Sequence, residues 1–162
     1  FLTQLGANEL WIGILYAINS FSQFFIMRPL DRFRSTSLVI WGLSFSALTF
    51  ALYFLAQNFW QAIPMQLVLA LSWSLLYVGS LKFVAESGVE RGTSVGLLNL
   101  TMSLSSVAGP IIGGVISQIW GYRYTMLFAL AMVLAGLVFF TLYLRYSKNH
   151  AQEIKNKNNE KL

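Results

Sequence analysis

TSVGLLNLTMSLSSVAGPIIGGVISQI, residues Thr93 to Ile119, contains no charged side chain. A bilayer's hydrocarbon core, about 30 Å thick, is crossed by about 20 residues of helix rising about 1.5 Å each. The stretch is long enough to cross. It is also two-faced. At about 100° per residue, Gly92, Gly96, Asn99, Ser103, Ser106, Pro110, Gly114 and Ser117 fall within about 80° of one another, and Leu, Met, Val and Ile take the reverse. The period is helical, and a sheet with open edges would leave backbone groups unpaired in lipid.

Four more segments have the same character: Leu10–Met27, Thr36–Ala56, Trp60–Phe83 and Tyr124–Leu144. None has an acidic or basic residue near its middle, where one costs about 2.5–3.5 kcal/mol on insertion scales. Composition agrees. Of 162 residues, 56% are hydrophobic and 10% charged, against about 25% charged in a typical soluble domain. Mean hydropathy is +0.61. A soluble globule this apolar could not cover its surface. The fold class expected is an all-α polytopic membrane protein: a bundle of five transmembrane helices over 1–146, then a polar tail.

The charges give an orientation. Arg28, Arg32 and Arg34 separate spans one and two; Lys82 and Arg91 flank the next connection on that side. Arg145, Lys148, Lys155, Lys157 and Lys161 follow span five, and Arg123 alone falls on the other side. Ten basic residues against one place the N-terminus outside and the C-terminus in the cytoplasm of a cell membrane. Trp60 and Trp120 fall at the outer boundary, as an aromatic belt does. The tail, 147–162, is rich in Lys and Asn without apolar periodicity, and is expected to be disordered or a frayed helix. It anchors the topology, and its lysines can also meet anionic lipid. The first span lacks the basic stretch and cleavage site of a signal peptide. A chain beginning at Phe1 is expected to be an excerpt of a longer one.

Spans two and five are apolar nearly all round and are expected to face lipid over much of their circumference. Span one groups Tyr16, Asn19 and Gln23; span three groups Gln66, Trp73, Tyr77 and Ser80. Polar groups in a membrane face the bundle interior or a wet cavity. Two readings compete: close interhelical packing through small and hydroxyl residues, or the wall of a solute path. Packing is the first reading for span four, with Asn99 and Ser103 as path candidates. The aromatic pair of span three favours a path, and the face of span one is evenly balanced.

Two stretches have a recognisable pattern. MRPLDRFR, Met27 to Arg34, resembles the cytoplasmic loop motif of the major facilitator superfamily, G-x-x-x-D-R-x-G-R-[KR]. Asp31 and Arg32 match; Met27 and Arg34 replace the glycines, and Ser35 and Thr36 the basic pair. Physically, an aspartate near a helix N-terminus accepts orphan N–H groups, and Arg28, Arg32 and Arg34 can bind carboxylates. Glu86 and Glu90 are the available partners. The alternative is a bare positive anchor. GLLNLTMSLSSVAGPIIGG, Gly96 to Gly114, resembles the superfamily's antiporter motif, G-x8-G-x3-G-P-x2-G-G. Gly96, Gly109, Pro110, Gly113 and Gly114 match, with Ser105 at the middle glycine. Pro110 removes a backbone donor and bends the helix; the glycines let another helix lie against the bend.

The resemblance covers Leu5 to Tyr146. It implies most of one six-helix half of a transporter, helices 8 to 12, with the first helix of that half missing. The degenerate loop motif, the lack of an arginine in span three and the basic tail favour the C-terminal half; the N-terminal half is the alternative. Spans two and five then become the outermost helices, span three a cavity-lining helix and span four the seam. What the resemblance implies is a secondary transporter that moves a small organic solute or drug by alternating access. Its partners would be the lipid bilayer, the solute and the parent's missing helices. A truncated, non-transporting scaffold or assembly subunit is the alternative function.

Enzyme chemistry lacks its parts. There is no cysteine, the single histidine, His150, lies in the tail, and no span holds an aspartate. Catalysis needs a nucleophile with its base, paired carboxylates or a metal cluster. No cofactor, metal or nucleic acid is expected. The lack of an ionisable group at mid-depth leaves the coupling ion to the absent part, or makes the carrier a uniporter.

Overall fold

The computed structural model describes residues 8–87 and 90–159. The opening residues 1–7 and Lys161 lie outside them. Regular structure among the described residues is helical throughout: α1 (Glu9–Leu30), α2 (Ser35–Leu55), α3 (Ala62–Ser87), α4 (Arg91–Trp120) and α5 (Tyr122–Asn159), with a 3-10 turn at Phe59–Gln61 before α3. All five are long and apolar enough to cross a membrane.

Helix ends follow local chemistry. Asn8 caps α1, its side chain accepting from the Trp11 N–H at 2.9 Å, which satisfies one of the orphan donors of the first turn. Gln61 does similar work before α3, accepting from the Gln57 N–H at 2.9 Å. Between α4 and α5 the chain turns on Gly121 alone, at φ 89°. A side chain there would be strained, so glycine permits two long helices to follow one another directly.

α2 and α3 form the centre of the bundle. α1 lies against α3, α5 against α2, and α4 touches both α3 and α5. One core cluster, toward the α2–α3 turn, joins Leu15, Tyr53, Ala56, Ala62 and Met65. The other, toward the basic side, joins Leu30, Leu38 and Leu75. Trp11 meets Trp60 edge-on at 5.0 Å between ring centres, tying the start of α1 to the α2–α3 turn. At the other end Phe83 of α3 meets Phe140 and Tyr143 of α5.

α2 buries one stripe, Ser35, Leu38, Val39, Gly42, Ser46, Thr49 and Tyr53, and leaves Trp41, Leu48 and Leu55 exposed on the rest of its circumference. The scattered small and hydroxyl residues are its packing face. A Cβ added to Gly42 would lie 2.8 Å from the Leu76 backbone nitrogen, and one on Gly79 would lie 2.8 Å from Leu38 Cβ. The missing side chains let the two backbones approach, and Ser46 and Ser72 hydrogen-bond across the contact. α5 continues into the polar tail as helix through Asn159. Its Lys, Gln, Glu and Ala residues are good helix formers, and the final turn of α5 has a regular helix to extend.

Candidate functional site

The polar residues of α1 and α3 meet. Asn19 Nδ2 donates to the Gln66 carbonyl at 3.0 Å, and Gln23 Nε2 donates to Asn19 Oδ1 at 2.6 Å. Gln66 itself is 6% exposed. Asn19 therefore does two jobs, linking α1 to α3 while holding Gln23 one turn along. Ser74, about two turns beyond Gln66 on α3, is fully buried, and among the described residues its hydroxyl has no hydrogen-bond partner. Tyr16, grouped with these residues by sequence, stays outside the contact and is 65% exposed.

The aromatic residues of α3 face another neighbour. Trp73, Tyr77 and Ser80 form one wall of a cleft of about 390 Å³ between α3 and α4. The opposite wall includes Leu98, Thr101, Met102, Ser105 and Ser106. Both sets lie in the central turns of their helices. Trp73 is 47% exposed, open to the cleft rather than sealed in a core. The path candidates Asn99 and Ser103 do not line it; both are exposed elsewhere on α4. Thr101 and Met102 were missed because they lie off the narrow polar face drawn on the helical wheel.

α4 runs unbroken through Pro110. Of its motif glycines, Gly113 faces α5: a Cβ there would meet Thr125 Cγ2 at 3.3 Å, and the Thr125 hydroxyl donates to the Gly113 carbonyl at 3.3 Å. Around Gly96, Gly109 and Gly114 an added Cβ would have nothing within 4 Å. Ser105 belongs to the cleft. The small-residue face of α4 is thus open along most of its length, as is the opposite face carrying Leu97, Leu104 and Ile111.

The loop motif is built differently from its expected ion pairs. Asp31 is the C-cap of α1, not a cap of α2, because α1 continues through Pro29 to Leu30 and uses up the residues before it. Arg34 occupies the N-cap of α2 without a side-chain bond. Among the described residues, Arg28, Arg32 and Arg34 make no ion pair with Glu86 or Glu90. Instead the Ser35 hydroxyl donates to Glu86 Oε2 at 2.6 Å, and Thr93 donates to Glu90 at 3.0 Å. The cation that grips the loop is Lys82, whose Nζ donates to the carbonyls of Asp31 at 2.9 Å and Phe33 at 2.8 Å. One turn of α3 thereby places a cation at the C-terminus of α1 and a carboxylate at the N-terminus of α2, the sign each helix dipole favours. Reading the charges only as topology markers hid this role of Lys82. The Asp31 side is flanked by two clefts sharing Asp31 and Val78, one with Arg28, the other with Lys82.

What the arrangement offers is a cleft between the central turns of α3 and α4 with aromatic and hydroxyl walls, a helix with an uncovered small-residue face, and a loop fixed to the end of the central helix. No solved structure matches the chain. The sequence model of the Major Facilitator Superfamily spans residues 2–161, and the chain, an all-α multi-pass membrane protein, belongs to that superfamily of transporters.

Proposed function

We propose that this chain forms most of one half of a secondary transporter, moving a small organic solute or drug by alternating access across the cell membrane. The observation that carries the reading is the α3–α4 cleft: Trp73 and Tyr77 face Thr101 and Ser105 in the central turns of their helices, where a carrier's solute must be reachable from both sides in turn. The open small-residue face of α4 is the surface on which the parent's other half rocks. Five helices make one side of such a path, so the remaining helices belong to the longer parent. The basic side, with Arg28, Arg32, Arg34 and the end of α5, faces the cytoplasm by the charge rule.

The test is uptake by the full-length transporter in sealed vesicles, with Trp73→Ala and Tyr77→Ala variants whose insertion and expression match the unmodified protein. Transport of at least one solute is expected to fall about tenfold or more. Uptake unchanged in both variants for every solute the unmodified protein carries would overturn the assignment of the path. A full-length protein that moves nothing would favour the scaffold alternative.

A further inference from the structure

The connection from α1 to α2 runs only from Asp31 to Arg34 and joins two membrane spans. A turn this short lies at the level of the lipid headgroups. It is also fixed. Lys82 binds the carbonyls of Asp31 and Phe33, and Ser35 beside it binds Glu86. Arg32, Phe33 and Arg34 are left exposed, as is Arg28 in the last turn of α1. Phe33 is 57% exposed although it stands between two charges.

The three guanidiniums lack a carboxylate. Among the described residues none of them makes an ion pair. The acids of the next connection on this side are engaged by hydroxyls, Glu86 by Ser35 and Glu90 by Thr93. Three arginines against the single Asp31 leave residues 28–34 with a net +2. Guanidinium forks match phosphate oxygens, and their stems lie along apolar surface.

A cleft of about 570 Å³ between the ends of α1 and α3 supplies that surface. Phe24, Met27 and Val78 line its apolar part, Arg28 and Asp31 its polar part. Phe24 and Arg28 are four residues apart on one helix and so share a face, and Phe24 is 70% exposed. Free phosphate would use the arginines and leave Phe24 and Phe33 in water. A phospholipid covers the rings and meets the charge together. A zwitterionic headgroup would bring its own cation toward three arginines, whereas an anionic one brings none.

We infer that this corner of the α1–α2 turn binds an anionic phospholipid, its phosphate held by Arg28, Arg32 and Arg34 and its acyl chains lying along Phe24 and Phe33. The site is separate from the α3–α4 cleft, and its failure would leave the transport reading untouched.

The test uses the full-length transporter, purified in detergent and stripped of lipid. It is titrated with dioleoyl phosphatidylglycerol, dioleoyl phosphatidylcholine and inorganic phosphate, and bound lipid is counted by native mass spectrometry. Phosphatidylglycerol is expected to bind at least about tenfold tighter than phosphatidylcholine. Arg28→Gln should weaken it about fivefold, and R28Q/R32Q/R34Q about a hundredfold. R28K/R32K/R34K keeps the charge and the insertion signal, so it should cost about fivefold at most and shows that the protein folds. Arg145→Gln, on the same side but outside the corner, should change binding by less than about twofold. A benzophenone amino acid in place of Phe24 should cross-link to lipid.

Equal binding of the two lipids would overturn the assignment. So would an equal loss in Arg145→Gln and Arg28→Gln, which would show diffuse attraction to charge. Inorganic phosphate displacing the lipid at matched concentration would make the corner a site for the free anion. Cross-links from position 24 to the transporter's own helices would show that protein covers the corner, and the lipid assignment would fall.

Discussion

The Ser35 hydroxyl donates to Glu86 Oε2 at 2.6 Å, joining the first turn of α2 to the last turn of α3 across 51 positions of sequence. The carboxylate stands where the α2 dipole is positive, and Arg34 at the N-cap offers no side-chain acceptor of its own. Glu86 therefore ties the end of α3 to the start of α2 through a side-chain hydroxyl and sets its negative charge near the α2 N-terminus.

Glu86→Ala should remove that acceptor and lower the stability of the detergent-solubilised protein by about 1–2 kcal/mol. Glu86→Gln, which keeps an acceptor but loses the charge, should cost less. Thermal unfolding followed by circular dichroism gives the ranking, and equal midpoints for both variants and the unmodified protein would show that the contact contributes nothing.

Lys82 holds the same loop from the other direction, through the carbonyls of Asp31 and Phe33. Lys82→Met retains much of the apolar stem and deletes the donor. The expected result is a loop opened to solvent, read as faster labelling of a cysteine placed at Phe33, with Lys82→Arg restoring much of the protection. Unchanged labelling in Lys82→Met would mean that the loop is held by its backbone alone.

Gly42 and Gly79 set the distance between α2 and α3. Gly42→Val forces its side chain against the Leu76 backbone, as close as 2.8 Å for the Cβ alone, and overpacking of this kind costs about 1–3 kcal/mol. The same change at Gly96, where an added Cβ meets nothing within 4 Å, should leave the stability of these five helices nearly unaltered. Comparing the two variants by thermal unfolding separates a packed glycine from an open one.

Asn19→Leu should be mild for stability. Interhelical hydrogen bonds in membranes average about 0.6 kcal/mol, and the lost donor leaves a Gln66 carbonyl that still belongs to its helix. Gln23 loses its partner as well, so Gln23→Leu added to Asn19→Leu should cost less than the sum of the two single changes. A double-mutant cycle measures that coupling; strict additivity would show the two amides acting independently.

Particular residues show how far the sequence reached. The five helices were legible because an uncharged run of this length has essentially one way to satisfy its backbone in lipid; the ends moved by a few residues, at Pro29 because it fits the last turn of α1, and α5 ran on into the polar tail to Asn159. Asn19, Gln23 and Gln66 were legible as faces, since helical periodicity places residues about a common axis. Trp73, Tyr77 and Ser80 line one cleft, whereas Gln66, which shares their helical face, is buried beside Asn19 of α1. Their α4 counterparts were harder: Ser105 and Ser106 had been noticed for their size, and Thr101 and Met102 not at all.

Hydropathy, a property of the chain itself, made the five membrane-crossing helices of the described residues legible. Which face of each helix would be used was settled only by packing. α2 looked uniformly apolar, yet its glycine and hydroxyl stripe became the tightest seam, because backbone approach depends on which residue is small at the point of crossing. Lys82 looked like a topology charge and Glu86 like a partner for the loop arginines, yet Lys82 binds the Asp31 and Phe33 carbonyls and Glu86 the Ser35 hydroxyl, because such groups acquire partners only when the helix ends are brought together. The sequence therefore fixes the solvent of each residue, and tertiary structure assigns its neighbour.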